Sequence, residues 1–163
     1  KGNTFLSKTI TIMVIEKWKY NNKSVNGVTD MPDDAIGFVY LIVTSNGKKY
    51  IGKKSLYSVR KRKFGKKESK LITDKRKKLY EMVKKESDWQ IYTGSNKDLN
   101  EDIKKGITFT REILQYAYAK KQLSYLETKY LFVKGVLETD DEYYNSNING
   151  TYFRKDASSI DDE

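Results

Sequence analysis

The chain contains no cysteine and no histidine. The first absence excludes a disulfide scaffold, a thiolate zinc cluster and a cysteine nucleophile. The second excludes metalloprotease helices, Ser-His-Asp triads and imidazole general bases. Any catalysis must run on Tyr, Lys, Arg, Asp, Glu, Ser or Asn. Proline occurs once, at Pro32. No apolar run approaches the ~20 residues of a membrane-spanning helix, so a soluble protein is expected. The opening segment KGNTFLSKTITI is too short and too polar for a signal peptide, and Met13 offers a second candidate start. A length of 163 residues suits one domain.

Positive charge is plentiful instead. Lys and Arg number 32 against 22 Asp and Glu, a net of +10. Between Lys48 and Lys85 there are 17 cations and three acids, a net of +14, which leaves −4 for the remainder. The tail KDASSIDDE is acidic and reads as disordered. So dense a basic stretch attracts a polyanion, the plain alternative being a solvated Lys-rich helix. Tyr57, Phe64, Tyr80, Trp89 and Tyr92 interleave with the cations, as where phosphates and bases are both touched. No basic helix with a broad apolar face is evident, which favours nucleic acid over a membrane.

The patterning predicts an α+β domain: a small antiparallel sheet of three strands flanked by helices, with a basic helical insert. Residues 14–20 suit a short strand, and the turn-rich stretch after them a loop. IGFVYLIVT and KKYIGKK flank Ser45-Asn46-Gly47, a strong hairpin signal that predicts strands at about 37–44 and 48–54. A basic helix is predicted at about 73–86 with Leu79, Met82 and Val83 on one face. A second is predicted at about 97–105, ended by Gly106. Residues 107–116 read as the third strand. AKKQLSYLETKYLFVKG reads as a helix with Leu123, Leu126, Tyr130 and Val133 on its apolar face and Gly135 at its end.

The hairpin carries the chemistry. Alternation along the strands puts Tyr40 and Tyr50 on one side. Lys53, Lys54, Arg60 and Arg62 follow, a cationic field expected to lower a phenol pKa and make a general base. With 13 tyrosines in the chain, any one strand Tyr is also a candidate core residue.

Gly37-Phe38-Val39-Tyr40 followed by Tyr50-Ile51-Gly52 resembles the paired motifs of the GIY-YIG nuclease superfamily, the first motif degenerate and the second intact. The resemblance extends over about residues 36–153, through ESDWQIYTGSN, TFTREIL, SYLETKYLF and YYNSNING, which look like segments of phage-encoded homing-type endonucleases. It divides the chain into an extension at 1–35, the nuclease domain with its insert at about 65–106, and a tail at 154–163.

The resemblance implies a GIY-YIG-type fold and hydrolysis of phosphodiester bonds in double-stranded DNA with one Mg²⁺ or Mn²⁺ per site, in the cytoplasm of a bacterial host. It implies that Glu127 holds the metal and that Arg60, ten residues after Tyr50, offsets phosphate charge. Tyr40 would take the proton, with Lys53 or Lys54 depressing its pKa. Tyr50 would position groups, and Asn145 would orient Glu127 or the backbone. Arg62 competes with Arg60, and Asn147 and Asn149 with Asn145. Phe64 stands where many members carry His or Tyr. Lys54, Arg62, Lys63, Lys66, Lys67, Lys75, Arg76, Lys77 and Lys78 are the expected DNA contacts. A structure-selective or degradative nuclease, or a non-catalytic nucleic-acid-binding module, are the competing readings.

Overall fold

The computed structural model describes residues 15–139 and 141–157. The expectations for the first 14 residues and for 158–163 of the tail lie outside the described residues. In chain order the strands and helices are β1 (Trp18–Tyr20), β2 (Lys23–Val25), β3 (Gly37–Thr44), β4 (Lys49–Ser55), β5 (Tyr57–Lys63), α1 (Lys66–Lys70), β6 (Tyr80–Glu86), α2 (Lys97–Lys104), β7 (Phe109–Ala117), α3 (Lys120–Val133), β8 (Asn147–Ile148), β9 (Tyr152–Phe153) and α4 (Arg154–Ala157). No helix among the described residues is long and apolar enough to cross a membrane.

The α+β class holds, but the sheet has five strands rather than three, in the order β2-β1-β7-β3-β4. It is mixed, because β1 runs parallel to β7 while the other pairs are antiparallel. The two extra strands come from the segment expected to be an extension. Asn21 and Asn22 both take positive φ, 48° and 63°, between Tyr20 and Lys23. Consecutive left-handed residues make the tight turn that suits a two-residue hairpin, and asparagine tolerates that conformation. Trp18 then buries its ring completely against Phe38 and Tyr40. The domain therefore begins before residue 36.

β3 is covered on both faces, which explains its nearly continuous apolar run. Phe38, Tyr40 and Ile42 enter a core with Trp18, Trp89, Leu99 and Ile113. Val39 and Ile51 face the other core, under Leu123, Leu126 and Leu131 of α3. Helix α3 ends as predicted at Gly135, which takes φ +56°, and Val136 folds back to donate its N–H to the Leu131 carbonyl. Val133, the last residue of α3, is exposed, contrary to the predicted apolar face, while Leu131 and Val136 are buried.

The largest departure is at 73–86. No helix forms there. Residues 80–86 are β6, paired antiparallel with β5 from Tyr57↔Glu86 to Lys63↔Tyr80. Asp74 starts a turn, its Oδ1 accepting the Arg76 N–H at 2.9 Å and its carbonyl the Lys77 N–H at 3.0 Å. Consecutive cations Lys75–Lys78 repel one another along any helix, and long-range pairing with β5 overrides the local helical periodicity. Strands β5 and β6 pair only with each other, so the stretch expected to be a basic helix at 73–86 supplies one strand of a two-stranded arm over 57–86.

Because Trp18 is fully buried in the first core, Trp18→Ala should lower stability by about 3–5 kcal/mol. Urea denaturation followed by fluorescence of the remaining Trp89 measures this; a loss below about 1 kcal/mol would return the segment before residue 36 to the status of an appendage.

Candidate active site

β4 is the edge strand of the sheet, and the segment after α3 closes only part of that edge. The Lys49 N–H donates to the Glu142 carbonyl and the Tyr144 N–H to the Lys49 carbonyl, each at 2.8 Å. At Ile51 a side chain replaces the neighbouring strand. The Ile51 N–H donates to Asn145 Oδ1 at 3.0 Å, and Asn145 Nδ2 donates back to the Ile51 carbonyl at 2.8 Å. A carboxamide presents one donor and one acceptor side by side, as a strand backbone does. Backbone pairing along the edge thus gives way to Asn145 at Ile51, where a cavity of about 430 Å³ opens. Its lining includes Tyr50, Lys53, Ser95, Glu127, Asn145 and Asn149.

Tyr50 enters from the face shared with Tyr40, the two ring centroids 6.1 Å apart. Its hydroxyl lies 3.2 Å from Ser95 Oγ. Gly94, at φ +93°, backs the Tyr50 ring so closely that a Cβ there would come within 2.9 Å of it. Lys53 projects from the opposite face toward α3. Its ammonium sits 2.7 Å from Glu127 Oε2 and donates to Ser124 Oγ at 3.1 Å. The structure thus gathers Tyr50, Lys53, Glu127 and Asn145 from widely spaced places in the chain.

Tyr40 stands behind this group. It is 1% exposed and does not line the cavity. Its hydroxyl lies over Gly52, where an added Cβ would approach to 2.5 Å, so only glycine fits there. Burial pushes the Tyr40 phenol well above its ordinary pKa, with neighbouring Tyr50 and Tyr92 adding to the shift. Tyr50 is raised by burial as well. The expected lowering by Lys53 and Lys54 is therefore overturned: loss of solvation outweighs the cations, and the latter face other partners.

Lys54 does not line this cavity. Its ammonium pairs with Asp88 at 2.5 Å and lies 3.7 Å from the Tyr92 ring centroid, with 14% of the side chain exposed. Arg62 is likewise engaged, by Glu81 at 2.5 Å and Glu68 at 3.0 Å. Both were expected to contact DNA; in the structure each is ion-paired with carboxylates of the same chain. Arg60 is exposed on β5, opposite Val83, and no arginine lines the cavity. Lys63, Lys66, Lys67, Lys75, Arg76, Lys77 and Lys78 are all exposed on the β5–β6 arm and its tip. Among the asparagines, Asn147 bonds the Gly150 N–H and Asn149 bonds Thr128, so Asn145 is the one that reaches β4.

Sequence reading missed Arg111. It is 2% exposed, has its guanidinium 4.5 Å from the Trp18 ring, and donates to the carbonyls of Glu16, Gln90 and Tyr92. Desolvation lowers its pKa to about 10. It ties the 90–92 loop, and hence Gly94 and Ser95, to the sheet. A single arginine in an otherwise alternating strand was the only signal.

The family model described as "Putative endonuclease segE, GIY-YIG domain" matches residues 18–148. The chain belongs to this GIY-YIG endonuclease family. The match starts at Trp18, in agreement with the buried role of β1. No curated protein and no solved structure matches the chain.

Two outcomes follow. Asn145→Ala leaves a buried N–H and carbonyl at Ile51 without partners, at about 1–3 kcal/mol each, and should lower the urea midpoint accordingly. Tyr40, Tyr50 and Tyr116 all have raised folded-state pKa values, Tyr116 reaching about 12. Stability from neutral phenols is fully present below the unfolded pKa of about 10 and is lost as pH rises through the folded values. The urea midpoint should stay level from these groups up to pH ~10 and fall above it; Tyr116→Phe should make that fall shallower.

Proposed function

We propose that the chain is a metal-dependent endonuclease that hydrolyses phosphodiester bonds in double-stranded DNA. The observation that carries this reading is the Lys53–Glu127 pair beside Tyr50 in an open polar cavity, in a chain of the GIY-YIG family, next to an arm of strong positive charge. The biological setting that goes with it is a phage homing-type enzyme acting in the cytoplasm of a bacterial host.

The residues fit one Mg²⁺ or Mn²⁺. Glu127 is the one carboxylate lining the cavity, and no group of three metal-ligating side chains occurs among the described residues. A hard cation that keeps most of its waters needs a single carboxylate and room, and the cavity supplies both. When bound, such an ion offsets negative charge growing on the phosphate and the leaving oxygen. Lys53 adds a second positive charge from the chain itself, held in place by Glu127 and Ser124. Tyr50, with its hydroxyl at the cavity wall, would hydrogen-bond the phosphate or the attacking water, whose proton passes to solvent water in the open cavity. Tyr40 remains a neutral phenol that holds Tyr50 in position. Arg60, exposed on β5 outside the cavity, would offset charge on the scissile phosphate where the bound duplex brings that phosphate to it.

Glu127→Gln keeps shape and removes charge. It should abolish Mg²⁺-dependent nicking of supercoiled plasmid while leaving duplex binding nearly unchanged; cutting near the wild-type rate would remove Glu127 from the metal site. Tyr50→Phe should slow cleavage at saturating DNA by about 10²–10⁴-fold, whereas Tyr40→Phe should cost less than about tenfold. Equal large losses would give Tyr40 the proton-accepting role that the resemblance implies. Replacing Lys75, Arg76, Lys77 and Lys78 together by Gln should weaken binding to all sequences and flatten its salt dependence, by ~0.9 in slope for each phosphate no longer neutralised. An unchanged slope would show that these cations do not touch phosphate.

A further inference from the structure

The β5–β6 arm has a construction that attraction to phosphate does not explain. Residues 57–86 hold 13 cations and four acids, a net of +9 in a chain of +10. Its seven rungs span about 20 Å, with strands ~4.8 Å apart, while all of β6 except Tyr80 and all of β5 beyond Ser58 is exposed. A two-stranded hairpin with no third strand is marginal in water and gains order by docking. A B-form major groove ~12 Å wide admits such a ribbon.

The two faces differ. Pairing puts Tyr57, Val59, Lys61, Lys63, Tyr80, Met82 and Lys84 on one face, and Ser58, Arg60, Arg62, Glu81, Val83 and Lys85 on the other. On the second face Arg62 is neutralised by Glu81 and Glu68. On the first, no carboxylate among the described residues pairs with Lys61, Lys63 or Lys84. Lys84 lies 3.8 Å from the Tyr57 ring centroid and Lys61 4.9 Å from that of Tyr80, so aromatic rings hold two of these ammoniums in place. Between them Val59 and Met82 are 48% and 55% exposed, apolar groups with nothing over them. Glu86, the one acid on this face, accepts the Trp89 indole N–H at 2.7 Å at the arm's root.

Cations alone would suffice for sequence-blind attraction to phosphates. Apolar groups centred among fixed cations suit base edges, where a thymine methyl is an apolar target and guanine presents acceptors. We infer that the arm lies in the major groove of duplex DNA with the Tyr57–Lys84 face against the bases, Val59 and Met82 reading sequence by apolar contact and Lys61 and Lys84 by hydrogen bonding. The inference rests on the endonuclease reading for its choice of DNA. Leu56 anchors the root: it is buried, its N–H donates to the Ile36 carbonyl at 2.9 Å, and its carbonyl accepts the Ser87 N–H at 2.8 Å. Since β5 continues β4, the bases read lie at a fixed offset from the cavity, within about one helical turn of ~10 base pairs.

The test selects bound sequences from a random-sequence duplex pool with the full chain, then maps guanine N7 methylation by dimethyl sulfate on the selected duplex. The expected result is an enriched motif whose guanines are protected, since N7 faces the major groove. Val59→Thr with Met82→Thr should reduce preference for the motif over random duplex by about tenfold, with affinity for random duplex changed by less than about threefold. Val83→Thr, on the other face, should leave the preference intact. Absence of a motif, reactive N7 atoms under bound protein, or loss of preference only in the Val83 variant would overturn the inference; the methylation readout on the wild-type chain stands even if a variant misfolds. Because neither readout uses cleavage, protected guanines without plasmid cutting would sink the nuclease reading and keep the arm, and cutting without protection would do the reverse.

Discussion

The site depends on how far one sheet edge is closed. The Asn145 carboxamide meets both backbone groups of Ile51 and takes the place of the neighbouring strand there. Had strand pairing continued along β4, the edge beside Lys53 would be covered and no cavity would face Glu127. Had it stopped earlier, Ile51 would carry unsatisfied buried groups and Tyr50 would lose its footing. Asn145 is itself fixed, since Arg154 donates to its carbonyl at 3.2 Å and to that of Tyr143 at 2.8 Å.

Tight packing around this edge limits which residues it tolerates. Tyr40 sits over Gly52, Gly94 backs Tyr50, and Arg111 holds the 90–92 loop to the sheet through backbone carbonyls. The same burial that orders the two tyrosines raises their pKa values. Order and acidity are in opposition here, and burial decides. On the proposed function, the positive charge at the reacting phosphate therefore comes from Lys53, at the open edge, and the charge for binding from the arm.

Much of this was legible in the residues. The turn at Asn46-Gly47, the alternation around Tyr40 and Tyr50, and the helix bearing Glu127 all rest on local patterns, and the structure has them in place. What escaped depends on contacts distant in sequence. Strand β6 has a helical apolar spacing and becomes a strand only through pairing with β5. The Asn21-Asn22 turn signals a hairpin, but the parallel pairing of β1 with β7 requires a partner more than 90 residues away. Lys54 and Arg62 look like any other cations in a basic run until Asp88, Glu68 and Glu81 are folded against them. Net charge could be counted from the sequence, whereas which cations are ion-paired within the chain could not.

On the proposed function, the cavity at the open edge of β4 cuts DNA with the help of a divalent ion. The most direct measurement incubates the full wild-type chain with supercoiled plasmid carrying the sequence it selects from a random pool, with Mg²⁺ or Mn²⁺ and again with chelator, and follows topology on a gel. Conversion to nicked or linear plasmid with either ion, and none with chelator, is the predicted result. Plasmid that stays supercoiled with both ions at protein concentrations that saturate binding, or that is cut equally well with chelator, would contradict it.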